Sequence, residues 1–207
     1  MRKNGFTLAE ILITLGIIGV VSAMTIPAII QSYHNHVVET KLKKIYTVMN
    51  QAMRMSEINN GDRKYWHNSL NNKSGIEQYI LPYIKYTKVE EDAGNCDDCF
   101  VSIYFADGSI LRASKKHGGN YNYYTMNVDK CQKFDHYRGV CMFAFISDTD
   151  KYYFESFYNN TSSDRNLELN YLRNEGRYAC NTTGMNCAAL IQCNGWKIPD
   201  DYPYKVR

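Results

Sequence analysis

Glu10 stands where a carboxylate is costly. It is the single charge in the 25 residues from Phe6 to Ile30, a stretch otherwise built from apolar residues with a few Gly, Ser, Thr and Pro. On membrane-insertion scales a charge at a helix centre costs roughly 2.5–3.5 kcal/mol, and less near an end, so an ordinary signal or anchor has no use for one. A cation must compensate for it. Cleavage between Gly5 and Phe6 creates one, a new α-amino group at Phe6 four residues before Glu10 and on the same helix face. Within one helix the pair is poorly disposed, because the amino group sits at the positive end of the helix dipole. The amino group of a neighbouring copy approaches Glu10 more directly. In a low dielectric an unpaired carboxylate favours such an association, so Glu10 reads as an assembly residue that fixes the axial register between copies.

The second group of reactive side chains is the seven cysteines Cys96, Cys99, Cys131, Cys141, Cys180, Cys187 and Cys193. In an exported chain these are read first as disulfides. Proximity suggests Cys96 with Cys99, Cys131 with Cys141, and two of the last three together, with one thiol left over; sequence alone does not deduce the pairing. Cys96-Asp97-Asp98-Cys99 has the spacing of a redox motif, but two acids oppose a stabilised thiolate and no strand-to-helix setting surrounds it. His34 and His36 lie two apart, on different helix faces, and make no metal pair. Asp148 and Asp150 are weak calcium candidates that lack a glycine-turned oxygen cage, and a polar hairpin turn is the preferred reading. No other cofactor and no metal site is expected. No nucleophile, base and oxyanion donor converge in any recognisable motif, so the chain is not read as an enzyme. Lys and Arg number 24 against 21 acids, and a scattered formal charge of +3 does not indicate a nucleic-acid surface.

These residues need elements to hold them. An apolar run of this length spans a bilayer as a helix, and Arg2 and Lys3 ahead of it leave the N-terminus cytoplasmic and send the rest outward. Val21-Ser22-Ala23 offers a competing signal-peptidase site, which would release a secreted, disulfide-rich binding protein after Ala23. Pro27 removes a backbone donor and predicts a kink or short melted stretch around 23–27. Beyond it, Val38, Leu42, Ile45, Met49, Ala52 and Met53 recur at helical spacing while Glu39, Lys41, Lys43, Lys44 and Arg54 fill the other faces. This second half is amphipathic and ends near Asn59-Asn60-Gly61. A short helix with an interruption at Pro82 is expected over 76–84. Phe100 to Arg112, turning at Asp107-Gly108, reads as a β-hairpin, and Val140 to Ile146 with Tyr152 to Phe157 as a second. The 18 tyrosines suit such a sheet. The expected fold is α+β, a long helix covering an antiparallel β-sheet head.

Gly5-Phe6-Thr7-Leu8-Ala9-Glu10 followed by the apolar run to Val21 resembles the class III leader of type IV pilins and type II secretion pseudopilins. The resemblance implies cleavage after Gly5, N-methylation of Phe6, an assembly role for Glu10, and helix distortion at Gly19 and Pro27. It implies as partners a prepilin peptidase, other pilin or pseudopilin subunits, an inner-membrane assembly platform with its ATPase, and membrane lipid before assembly. The segment from Cys187 to Pro203 is similar to the tails of bacterial pilin-like proteins associated with type II secretion. It is expected to form a short helix ending at Asn194-Gly195 and an extended stretch anchored by Trp196. The organisation that follows is a leader at 1–5, a long helix at 6–57 with its transmembrane part at about 6–30, and a disulfide-containing head at 58–207. The protein is expected to be a single-pass inner-membrane protein with its head extracytoplasmic, then part of a periplasmic or cell-surface filament.

Overall fold

A computed structural model describes residues 7–93, 100–116, 119–147, 154–156, 165–175 and 177–207. Its longest element is the helix α1, Leu8–Asn60. Ala, Leu, Met and Lys in its second half favour helix, but a helix of 53 residues needs partners along its length. The head supplies them for the second half alone. The buried side chains of α1 begin at Val38 and continue through Leu42, Ile45, Met49, Ala52, Met53 and Ser56, the amphipathic stripe at three- and four-residue spacing. Each such apolar side chain taken fully out of water contributes about 1.5–3 kcal/mol before conformational entropy is subtracted.

The melted stretch expected around Pro27 is absent, and α1 runs through that proline as helix. Pro27 cannot donate to the Ala23 carbonyl four residues earlier; two positions away Thr25 Oγ1 donates to the Val21 carbonyl at 3.0 Å. At the far end Gly61, with φ of 81°, sends its amide to the Glu57 carbonyl at 3.0 Å. Asn60, the last helical residue, donates from its side-chain Nδ2 to the Ser56 carbonyl at 3.0 Å.

After two 3₁₀ turns at Arg63–Tyr65 and His67–Asn71 comes α2, Lys73–Tyr79. This helix starts earlier than expected because Asn72 caps it, its side chain accepting from the Gly75 amide at 2.8 Å. It ends before Pro82, which sits in a separate 3₁₀ turn at Leu81–Tyr83.

The sheet is a meander in chain order: β1 Lys88–Glu91, β2 Phe100–Tyr104, β3 Ile110–Ser114, β4 Asn120–Tyr124, β5 Met142–Ser147 and β6 Phe154–Ser156. Every neighbour pair is antiparallel. The two expected hairpins are β2–β3 and β5–β6. Gly108, at φ of 77°, takes the left-handed position in the first turn. Strands β1 and β4 were not expected; β1 is short and mostly charged, while β4 alternates Asn and Tyr. Register aligns Ile103, Leu111, Tyr123 and Phe143 across four strands, and this face packs on α1. The opposite face carries a smaller core, where Ile110, Tyr124 and Met142 meet Cys131, Val140 and Cys141 near α3, Val128–Cys131. Two further helices, α4 Arg165–Asn174 and α5 Cys187–Cys193, complete the head.

Candidate functional site

The N-terminal end of α1 is an arrangement of two side chains on one backbone turn. Thr7 has extended backbone and caps the helix; its Oγ1 accepts from the Glu10 amide at 3.3 Å. Glu10 answers from the third helical position. Its Oε2 accepts from the Thr7 amide and from the Thr7 hydroxyl, each at 2.8 Å. This is a capping box, in which two backbone donors left over at a helix start are satisfied reciprocally. The carboxylate thus has a partner inside its own chain. Sequence reading had placed Glu10 in an intermolecular role and missed this local one, although Thr followed by Glu three residues later is its ordinary signature. Gly5 and Phe6 lie outside the described residues.

Among the described residues, no side chain from Leu8 to Ile30 is buried against the head. Leu8 is 76% exposed, Ile17 59% and Ile29 66%, and no apolar side chain of this stretch belongs to either core. Twenty-three residues at 1.5 Å rise make about 35 Å of apolar rod, enough to cross a hydrocarbon core of about 30 Å. By length and composition α1 is able to cross a membrane. Gly16 and Gly19 leave open space on its surface, and both lie within the α-helical span Leu8–Asn60.

Above the rod the head is fastened to α1 by its C-terminal segment. Trp196 packs on Tyr46 with ring centroids 5.1 Å apart. Glu39 receives the Lys197 ammonium at 2.7 Å and the Ile198 amide at 2.9 Å. Lower still, Gln31 reaches the Val206 carbonyl at 3.5 Å and Arg207 lies 3.3 Å from His34 Nδ1. The segment therefore runs down the helix toward the apolar rod. On the other side, Lys41 donates to the carbonyls of Asp107 and Thr125 at 3.1 and 2.7 Å, and Lys44 pairs with Asp107 at 2.9 Å. Burial alone would raise the Asp107 carboxyl, but the Ser109 hydroxyl, the Lys44 ammonium and the Ser109 amide hold it at about 2.

Disulfides join Cys131 to Cys141 and Cys180 to Cys187. They close loops of about ten and seven residues, each contributing about 2.5 kcal/mol in the chain-entropy account. Cys193 ends α5 and is half-buried. Cys96 and Cys99 lie outside the described residues, as do Asp148 and Asp150. Among the described residues no group of three or more His, Cys, Asp or Glu is placed to hold a metal ion.

A concavity of about 400 Å³ opens between α1, the segment 83–85 and the β2–β3 turn, lined by Ile45, Val48 and Phe105 with Lys44 and Asp107 at hand. Of its polar groups, Lys44, Asp107 and Ser109 are tied to one another in the ion pair and turn just described. A histidine and serine that sequence reading did not single out also meet, His67 Nε2 lying 2.6 Å from Ser147 Oγ. Both are buried, at 2% and 4% exposure, so the contact joins the 3₁₀ segment to the end of β5 and leaves a substrate no approach.

Two family models match. Residues 1–26 fit the prokaryotic N-terminal methylation motif, and residues 28–206 fit a family of unknown function, DUF6613. No curated protein and no solved structure matches. The motif ends where the head family begins, at the boundary around Pro27 between the exposed apolar rod and the part of α1 that reaches the head. The chain belongs to the DUF6613 family and carries a class III prepilin leader on an α+β, pilin-like fold.

Proposed function

We propose that this protein is a structural subunit, a pilin or pseudopilin, of a type IV pilus or type II secretion-type filament. Prepilin peptidase cuts it after Gly5 and methylates Phe6. The rod then holds it in the inner membrane, with the head outside, until an assembly platform moves it into the filament. One observation carries the reading: a prokaryotic N-terminal methylation motif at residues 1–26 takes in most of an apolar helix stretch whose side chains are exposed among the described residues. Such a surface is stable in lipid or against the same surface of other copies. Glu10 adds a polar demand to it, favouring copies whose Phe6 amino groups come within reach. A subunit built this way works by packing, and a catalytic centre is not part of the proposal.

Intact-mass and N-terminal peptide analysis of the protein from its native membrane tests the reading. A chain beginning at N-methylated Phe6 is expected. A chain beginning at Met24 would establish a released, secreted protein and remove the assembly role of Glu10.

A further inference from the structure

The end of the head nearest the rod carries an excess of positive charge. Its level is fixed by the C-terminal segment, which descends from Trp196 beside Tyr46 to Val206 beside Gln31. Gln31 directly follows the apolar rod. Residue 207 is bonded in turn to the loop that closes the smaller core: its amide donates to the Val140 carbonyl at 3.0 Å, and its carbonyl accepts from Thr125 Oγ1 at 2.8 Å. Tyr202 donates to the Gly139 carbonyl at 2.7 Å, and Tyr204 lies against His136 with centroids 5.9 Å apart. The segment 126–141 and the tail 202–207 therefore form one surface at the foot of the head.

Five exposed cations lie on this surface, Lys130, Lys133, Arg138, Lys205 and Arg207. Within these two segments the acids are Asp129 and Asp135, both exposed; Asp200 and Asp201, just before the tail, are exposed as well, and Asp201 pairs with Arg173 at 2.8 Å. Glu39, the nearest acid on α1, is neutralised by Lys197. Of the chain's 24 cationic and 21 acidic side chains, five and two lie here, leaving nineteen of each elsewhere. Cleavage after Gly5 removes Arg2 and Lys3, so the 22 remaining cations less these five leave 17, against 19 acids, in the rest of the mature chain, and the positive excess lies at this end of the head. Aromatic rings accompany it, Phe134 at 37% exposure and Tyr33 on α1 at 65%, the latter three residues past the apolar run, where amphipathic rings favour a membrane interface.

We infer that the foot of the head is a docking surface for the anionic phospholipid headgroups of the outer leaflet around the rod. The inference rests on the membrane-anchored state proposed above. Anionic lipid attracts juxtamembrane Lys and Arg strongly enough that each contributes about a five-fold change in surface association, within a Debye length of about 8 Å. Contact of this kind holds the head upright on the membrane before assembly and makes its departure dependent on lipid charge and salt.

The test uses the full mature chain in nanodiscs of phosphatidylcholine alone and of phosphatidylcholine mixed with phosphatidylglycerol. An uncharged amine-acetylating reagent is applied and each lysine is read by peptide mass spectrometry. Lys130, Lys133 and Lys205 are expected to react several-fold more slowly in the anionic discs. Lys64 and Lys73, beyond the far end of an α1 half that spans roughly 45 Å, should not change. Salt at 0.5 M and the exposed-site double variant R138Q/R207Q should each restore most of the reactivity. Equal reactivity in both discs, or a slowing that neither salt nor the double variant relieves, overturns the inference. A chain that fails to stay with discs of either composition overturns the anchored state itself.

Discussion

Glu10 has one observed role, in the capping box, and one proposed role, in pairing between copies, and different substitutions separate them. As the third helical residue it completes the capping box with Thr7, which needs an acceptor but no charge. As the lone ion of an apolar rod it needs a cation. Glu10→Gln keeps the acceptor, since glutamine serves in the same box, and removes the charge. The variant is expected to be cleaved and to remain in the membrane, with its share in sheared filaments lowered at least about ten-fold, a loss of about 1.4 kcal/mol in pairing. Thr7→Ala does the reverse, costing about 1 kcal/mol at the helix start while leaving the carboxylate. It is expected to reduce incorporation less than Glu10→Gln. Equal losses from both would mean that the cap, and not the charge, governs assembly. Asp107 offers a second residue-scale test. Its folded value of about 2 lies below the ordinary 3.8, so its contribution is fully present above about pH 4 and disappears as pH falls through 2. Asp107→Asn should lower stability at pH 7 by about 0.5–1 kcal/mol, the size of a largely solvent-screened pair. Chemical denaturation of both proteins in detergent should show the gap closing between pH 4 and pH 2.

The elements differ in how plainly the sequence announces them. The amphipathic half of α1 was legible because its apolar residues repeat at helical spacing, and all six side chains expected to face the head are buried. Hairpin β2–β3 was legible because Asp107-Gly108 separates two β-prone runs. Strand β4 was not, because Tyr121 and Tyr123 alternate with Asn120 and Asn122 and local propensity is poor; it is held by pairing with β3 and β5 on both edges. Strand β1 and helix α4 likewise depend on partners distant in sequence. The capping box is legible in the spacing of Thr7 and Glu10, but the same carboxylate in an apolar run also calls for a cation, and sequence alone does not rank the two partners. The turn at Gly139 has no local signature at all, yet the structure makes it demanding. Its φ is 79°, and a β-carbon there would lie 2.5 Å from Cys187 Sγ and 2.8 Å from Tyr204 Cδ2. Gly139→Ala therefore combines a left-handed backbone with an overlap against the disulfide and the tail, and should cost about 2–3 kcal/mol. At this size that lowers the melting midpoint by about 4–12 °C, readable by scanning calorimetry. A shift under 1 °C would mean that the tail is not packed there.

At the scale of the molecule, the chain joins a rod whose stability depends on its surroundings to a head that carries its own core. The family boundary at residue 28, the first contact of α1 with the tail at Gln31 and its first buried residue at Val38 fall within eleven positions of one another. The division was readable from the polarity break near residue 30; the tail's attachment to α1 was not, since it pairs residues more than 150 positions apart. That attachment predicts where the chain tolerates shortening. A protein starting at Gln31 loses only exposed apolar surface and keeps every buried side chain of α1. It should be soluble without detergent and as stable as the full chain to within about 1 kcal/mol. A protein starting at Thr40 loses the buried Val38, the Glu39 contacts with Lys197 and Ile198, and the His34 contact with Arg207. Losing a buried valine and a hydrogen-bonded acid together should cost about 3–5 kcal/mol, measured as a lower urea midpoint with unchanged slope. If the two shortened chains unfold at the same midpoint, the descending tail contributes nothing to holding the head on its helix, and the foot of the head has no fixed level above the membrane.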